Sequence, residues 1–145
     1  MEPGECKFCD VAAGKLRAMI VHEDAHSVAF LDHRPLFPGH VLLVPREHVE
    51  TLDDLPRERV GPFFLSVQLL ARAVETAMEA QGNFIAINNR ISQSVPHLHV
   101  HIVPRRKGDG LRGFFWPRTK YPNAATEQMV AEAIREALRK AQAGG

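Results

Sequence analysis

The densest chemistry in the chain lies in His97-Leu98-His99-Val100-His101-Ile102-Val103. Side chains alternate between the faces of an extended strand, so His97, His99 and His101 share one face and Leu98, Val100 and Ile102 the other. The apolar set needs a core, and the imidazole set then opens on a cleft. Packing alone has no use for three imidazoles in a row, which repel one another when charged. Residue types leave several chemistries open. Together the three rings can hold a catalytic zinc with water in the fourth position. Alternatively, the middle ring can attack a phosphorus atom, with its other nitrogen fixed by a backbone carbonyl and a neighbouring ring supplying a proton. Protonated rings can also simply bind phosphate. Against all three stands a histidine-rich surface strand with no chemistry.

A second constellation, Cys6-Lys7-Phe8-Cys9, has the two-residue gap that suits zinc or redox work. A redox pair belongs between a strand and a helix of a βαβ unit, and no such unit is visible. A structural zinc needs two more ligands, for which His48 and His97 are available. Free structural thiols are the remaining reading.

These residues must be positioned by a small body. The chain has 145 residues, 45% of them hydrophobic, which is enough for one core. Met19 to His22 and Ser27 to Leu31 read as a hairpin turning at Glu23-Asp24-Ala25, and His40 to Val44 as an apolar strand stopped by Pro45. Apolar residues from Val60 to Met78 recur every three or four positions and form one helical stripe. Asp53 or Asp54 is placed to cap this helix, Gly61-Pro62 to divide a short helix from a long one, and Gly82 to end it. Phe84 to Ile87 and the histidine segment supply the last strands, and a helix over about Ala125 to Ala141 closes the chain. The expected fold is α+β: one domain over 1–145, with an antiparallel sheet of about five strands, one long central helix and a C-terminal helix. Its core covers about 6–106 and its tail 107–145.

Eighteen basic against 17 acidic residues give a net charge of +1, leaving no broad basic face for duplex nucleic acid. No run reaches the roughly 18 apolar residues of a membrane span, and Met1 to Asp10 has no apolar signal core. With only two closely spaced cysteines, a cytoplasmic, non-membrane protein is expected.

The histidine segment resembles the histidine triad (HIT) family, whose pattern is His-φ-His-φ-His-φ-φ with φ apolar. The likeness runs from about Cys6 to Arg106 and includes Ala29-Phe30-Leu31-Asp32, Pro38-Gly39-His40 through His48, Asn88, and Gln93-Ser94-Val95. It implies a dimer that forms one continuous sheet, binding of a purine nucleotide, and cleavage at the α-phosphorus through a nucleotidyl-histidine intermediate. By this resemblance His99 is the nucleophile, His101 contacts the phosphate and protonates the leaving atom, and His97 and His40 support them. Asp32 matches a carboxylate that grips the ribose hydroxyls. Phe8, Phe30 and Leu42 match apolar positions around the base, and Asn88, Gln93 and Ser94 match polar residues along the phosphates. Some members hold zinc through two cysteines and two histidines, which match Cys6, Cys9, His48 and His97. A zinc there is structural, and the chemical step needs no metal.

One departure concerns the loop before Gln93. Family members commonly carry glycines there, whereas this chain has Asn89-Arg90-Ile91-Ser92, and Arg90 is free to reach an anion or a dimer partner. Downstream, Pro104 to Gly110 resembles the start of the tail in the Fhit-like branch that cleaves dinucleoside polyphosphates. Arg105, Arg106 and Lys107 are expected beside a departing polyphosphate, with a solvated basic turn as the alternative. Phe114-Phe115-Trp116 covers the nucleotide, packs on a partner subunit or fills a gap. Nucleoside phosphoramidates, or nucleotide binding with little turnover, remain the alternative functions.

Overall fold

Period-two alternation in the central strands sorts the interior into two layers. A computed structural model describes residues 5–111 and 118–144. Its first unit, Met1–Asp109, contains α1 (Lys7–Ala12), β1 (Ile20–Glu23), β2 (Ser27–Leu31), β3 (Val41–Pro45), a 3₁₀ turn (Leu52–Asp54), α2 (Arg57–Met78), β4 (Gly82–Ala86) and β5 (Val100–Arg105). The strands form one antiparallel sheet in the order β1-β2-β3-β5-β4. Ala29, Val41, Leu43, Val100 and Ile102 pack with Phe63, Val67, Leu70, Ala71 and Val74 of α2. On the other face Val28, Phe30, Leu42 and Val44 pack with Cys6, Phe8 and Val11 of the α1 segment. Each buried Val, Leu, Ile or Phe among them contributes about 1.5–3 kcal/mol, so α2 is held by its stripe rather than by helix propensity.

The register carries one row of side chains across the sheet: Ile20 opposite Phe30, Phe30 opposite Leu42, Leu42 opposite His101, and His101 opposite Ala86. That row puts the His101 imidazole beside two apolar side chains, Leu42 and Phe30. The second unit, Gly110–Gly145, contains α3 (Ala124–Gly144), where the Asn123 side chain accepts the Thr126 N–H at 2.8 Å. Phe114, Phe115 and Trp116 lie outside the described residues. No helix among the described residues is long and apolar enough to cross a membrane.

Several local expectations are corrected. The residues around Cys6 and Cys9 form a helix, which the Cys6 sulfur caps by accepting the Cys9 N–H at 3.4 Å. Gly61-Pro62 does not divide α2; Pro62 lies in its second turn, where it removes only one helical bond. The division falls at Leu55-Pro56, with Pro56 as the N-cap, while Asp54 instead caps the 3₁₀ turn through the Thr51 N–H and hydroxyl at 3.2 and 2.9 Å. α2 stops at Met78 with Glu79 in the left-handed region at φ 51°, and Gly82 opens β4. The ladder of β5 begins at Val100, so His97 and His99 precede it. Beyond the Leu43–Val100 pair the partner strand runs into Pro45, which has no N–H to donate.

Candidate functional site

His99 is buried at 3% exposure, and its orientation follows from one bond. Its Nδ1–H donates to the His97 carbonyl at 2.7 Å, so Nε2 carries the free lone pair. Burial lowers the ring's pKa from its ordinary value, against the opposing effects of the His97 carbonyl and the Asp32 charge. The edge of Phe8 meets the ring at a centroid distance of 5.0 Å. His99 and His101 both line an open cavity of about 620 Å³, together with Phe8, Phe30, Leu42, Asp32 and Ser94. That volume lies within the roughly 300–1,000 Å³ range of ordinary small-molecule sites.

A chain of hydrogen bonds sets the other tautomers. The Leu36 N–H donates to His40 Nδ1 at 3.0 Å, so the proton of neutral His40 sits on Nε2. That nitrogen faces His101 Nδ1 at 3.0 Å and donates to it, leaving His101 with its proton on Nε2. Burial lowers the pKa of His40 against the pull of Asp32. Burial together with the neighbouring His99 and His40 brings His101 down to about 4. The site at neutral pH is therefore a lone pair on His99 beside an uncharged N–H donor on His101. Asp32, His40 and His101 are close enough for a shared cation, with ligand atoms within 4.8 Å. The Leu36 bond argues for a hydrogen-bond chain instead, because His40 Nε2 already holds the proton.

Asp32 lies at the turn after β2 and lines the cavity. One oxygen accepts the Arg34 N–H at 2.9 Å as a turn cap, and the other lies 3.7 Å from His40 Nε2. Phe8, Phe30 and Leu42 are core residues and cavity walls at once. Of the three polar residues expected along the phosphates, only Ser94 lines the cavity. The Gln93 amide instead ties its loop down, donating to the Glu50 carbonyl at 2.6 Å and accepting the Arg90 N–H at 2.8 Å. Asn88 is half-buried outside the cavity lining. The glycine-free loop still uses left-handed backbone, at Arg90 (φ 70°) and Ser92 (φ 60°), and Arg90 faces Asp53 at 3.9 Å.

The basic turn is also elsewhere. Arg105 pairs with Asp109 at 2.6 and 2.9 Å, the Arg106 guanidinium bonds to the Met78 carbonyl, and the Lys107 N–H bonds to Gln81 at 2.7 Å. Arg105 sits four residues beyond His101, about 13 Å along the strand, and none of the three cations lines the cavity.

His97 faces away from this chemistry. Its Nε2–H donates to the Pro45 carbonyl at 2.7 Å, which turns Nδ1 toward Cys6 at 3.3 Å and Cys9 at 3.4 Å. His48 Nδ1 lies 3.3 Å from the Cys9 sulfur. A tetrahedral zinc, with bonds of about 2.3 Å to sulfur and about 2.0–2.1 Å to nitrogen, holds such atoms about 3.5 Å apart. The four residues therefore fit zinc in donor type and spacing. Burial keeps His97 neutral down to about 4, as a ligand must be. Without a metal, burial and the neighbouring Cys6 sulfur push the Cys9 thiol up to about 11. Because His97 is turned to the sulfurs, His97, His99 and His101 do not converge on one metal point.

Sequence reasoning had no means of finding the Leu36 amide or the Pro45 carbonyl, since backbone groups leave no residue-type signal. It also passed over Lys7, Arg17, His33 and Arg34, which line the cavity mouth.

Comparisons with known proteins converge. The model of the HIT domain family matches residues 13–108. Protein hit of Bacillus subtilis is 39% identical over 114 residues, covering 77% of this chain and 78% of its own. A bis(5'-nucleosyl)-tetraphosphatase (asymmetrical) of Schizosaccharomyces pombe is 39% identical over 85 residues, covering 57% of this chain and 47% of its own. Among solved structures, a HIT family member from Bacillus subtilis superposes with a TM-score of 0.83 at 32% identity, covering 90% of this chain and 95% of its own. A zinc-bound histidine triad protein from Mycobacterium smegmatis gives 0.72 at 34% identity, covering 90% and 99%.

Proposed function

The chain belongs to the histidine triad family of nucleotide-binding hydrolases and transferases, and on that premise we propose that it cleaves purine nucleotides at the α-phosphorus through a covalent intermediate on His99. The observation that carries this reading is the His99 tautomer: a carbonyl holds Nδ1–H, and the Nε2 lone pair belongs to a ring lining a nucleotide-sized cavity. Phe8, Phe30 and Leu42 hold the base, Asp32 accepts the ribose hydroxyls with the oxygen that Arg34 leaves free, and Ser94 contacts the phosphate. Nε2 attacks phosphorus and forms the N–P bond. The bond to the leaving group breaks, and its electron pair departs with the leaving oxygen. His99 becomes cationic, stabilised by the His97 carbonyl. Water then attacks phosphorus, Nε2 regains its electron pair, and the surplus proton passes to solvent.

His101 acts here as an uncharged hydrogen-bond donor to developing negative charge rather than as a full acid. That favours a leaving group which departs as an anion, and so a dinucleoside polyphosphate over a phosphoramidate, whose amine must gain a proton. The activity named for the Schizosaccharomyces pombe relative supports the same substrate class. Zinc on Cys6, Cys9, His48 and His97 supplies a crosslink between α1 and two distant segments. The Mycobacterium smegmatis neighbour supports it. The homodimer that the family resemblance implies extends the sheet through an edge strand. β4 is such an edge, with Ile85 at 42% exposure.

The test is release of nucleoside monophosphate from diadenosine tetraphosphate and from adenosine 5'-phosphoramidate. Turnover of the first above the second is expected. A faster phosphoramidate reaction reassigns the substrate, and no turnover of either leaves a binding protein.

A further inference from the structure

The cations that sequence placed beside the substrate lie at the far end of β5, where Arg105 and Arg106 have other partners, yet the cavity has cations of its own. Lys7, Arg17 and Arg34 line it, with His33, and among the described residues Asp32 is the sole carboxylate in its wall. Three formal positive charges therefore face one negative charge, whose turn-capping oxygen already accepts the Arg34 backbone N–H. Among the described residues, the side chains of Lys7, Arg17 and Arg34 make no hydrogen bond or ion pair, although the same unit pairs Arg46 with Glu23 and Arg105 with Asp109.

The sheet register explains how they come together. Ile20 pairs with Phe30, and the Met19 carbonyl accepts the Leu31 N–H at 3.0 Å. Arg17 thus precedes β1 and Arg34 follows β2 at the same end of the β1–β2 pair, where both line the cavity. Lys7 comes from α1, next to the cavity wall residue Phe8. Like charges gathered from three segments repel one another, and a bound anion relieves that repulsion. Arginine suits phosphate in particular, because its planar fork donates two parallel N–H bonds.

We infer that this cavity binds a second phosphate group of its substrate, separate from the one facing His99, through Arg17 and Arg34 with Lys7 adding charge. The inference rests on the nucleotide reading above. Two sources share this chemistry: the next phosphate along a polyphosphate chain, and a phosphate on a ribose hydroxyl next to Asp32.

Calorimetric binding of three probes tests it: AMP, α,β-methylene-ADP and adenosine 3',5'-bisphosphate. Wild type is expected to bind one of the two bisphosphates at least about tenfold more tightly than AMP, with the advantage shrinking in high salt. The preferred probe identifies the source. In the Arg17→Gln/Arg34→Gln double variant, both positions being exposed, the affinity ratio to AMP should fall to near one. AMP binding with both wild-type ratios near one overturns this inference alone, as does a ratio that the double variant leaves intact. Failure of all three probes to bind overturns the nucleotide reading and this inference with it.

Discussion

His97 and His99 stand two residues apart in the same extended segment, are equally buried, and do different work. The Pro45 carbonyl takes Nε2–H of His97 and leaves Nδ1 to two sulfurs. The His97 carbonyl takes Nδ1–H of His99 and leaves Nε2 as the lone pair. One side chain type is thus prepared for metal ligation or for nucleophilic attack, the two proposed roles, according to which nitrogen a backbone carbonyl occupies. In the proposed function the cysteine cluster serves as a crosslink and the cavity beside it as the reaction site. Variants that separate the two functions break or sharpen this comparison.

The largest effect is expected at His99. Replacement by alanine should lower kcat by about 10⁴-fold or more, the scale on which losing a nucleophile is measured elsewhere, while metal content stays near one per chain. Single-turnover kinetics with metal analysis checks both. Wild-type kcat in His99→Ala would move a metal-activated water to the front.

Cys6→Ser should do the reverse. Zinc content should fall, and thermal stability with it, because a zinc held by these residues would join α1 to segments 39 and 88 residues away from Cys9, a closure missing in the unfolded chain. Turnover should fall several-fold rather than vanish. A scanning calorimeter and metal analysis suffice, and a cysteine variant with full zinc and unchanged Tm contradicts the structural site.

Gly39 gives a smaller, purely structural effect. It sits at φ 94°, and a Cβ there would lie 2.5 Å from Cγ of Met78, so Gly39→Ala should cost about 1–3 kcal/mol in urea denaturation. An unchanged midpoint would mean that the His40 loop is not pressed against α2 in solution.

The smallest effect concerns acid. Unfolded imidazoles bind a proton near pH 6.5, while folded His101 stays neutral down to about 4 among His99, His40 and Asp32. Between those values the unfolded chain binds more protons, so this contribution is complete above about pH 6.5 and is lost as pH falls toward 4. The stability difference between pH 7 and pH 5 should shrink in His101→Gln. An unaltered difference shows that His101 does not contribute to it.

The α+β class and the five-strand sheet were legible because period-two and helical patterns report burial directly, as in Val28 to Phe30 and the α2 stripe. So was the gathering of Cys6, Cys9, His48 and His97, whose residue types advertise a common use. What sequence missed has two physical causes. Pro56 rather than Asp54 starts α2 because a proline can sit at a helix start, and α2 continues through Pro62 because its buried stripe from Phe63 onward, with Leu55 ahead of the helix, holds it in the core. Gln93 was placed along the phosphates by the family resemblance and Arg105 by its likeness to the Fhit-like tail, but each has a nearer partner in the fold, the Glu50 carbonyl and Asp109. Such local competition is invisible until the chain is folded.

The central claim, that His99 and not its neighbours carries the reacting group, is tested most directly by rapid alkaline quenching and peptide mass spectrometry after mixing with diadenosine tetraphosphate. The expected result is one nucleotidyl group on the His99 side chain, in wild type and in Cys6→Ser alike. A covalent group on His97 or His101, or none at any quench time while nucleoside monophosphate is being released, would contradict it.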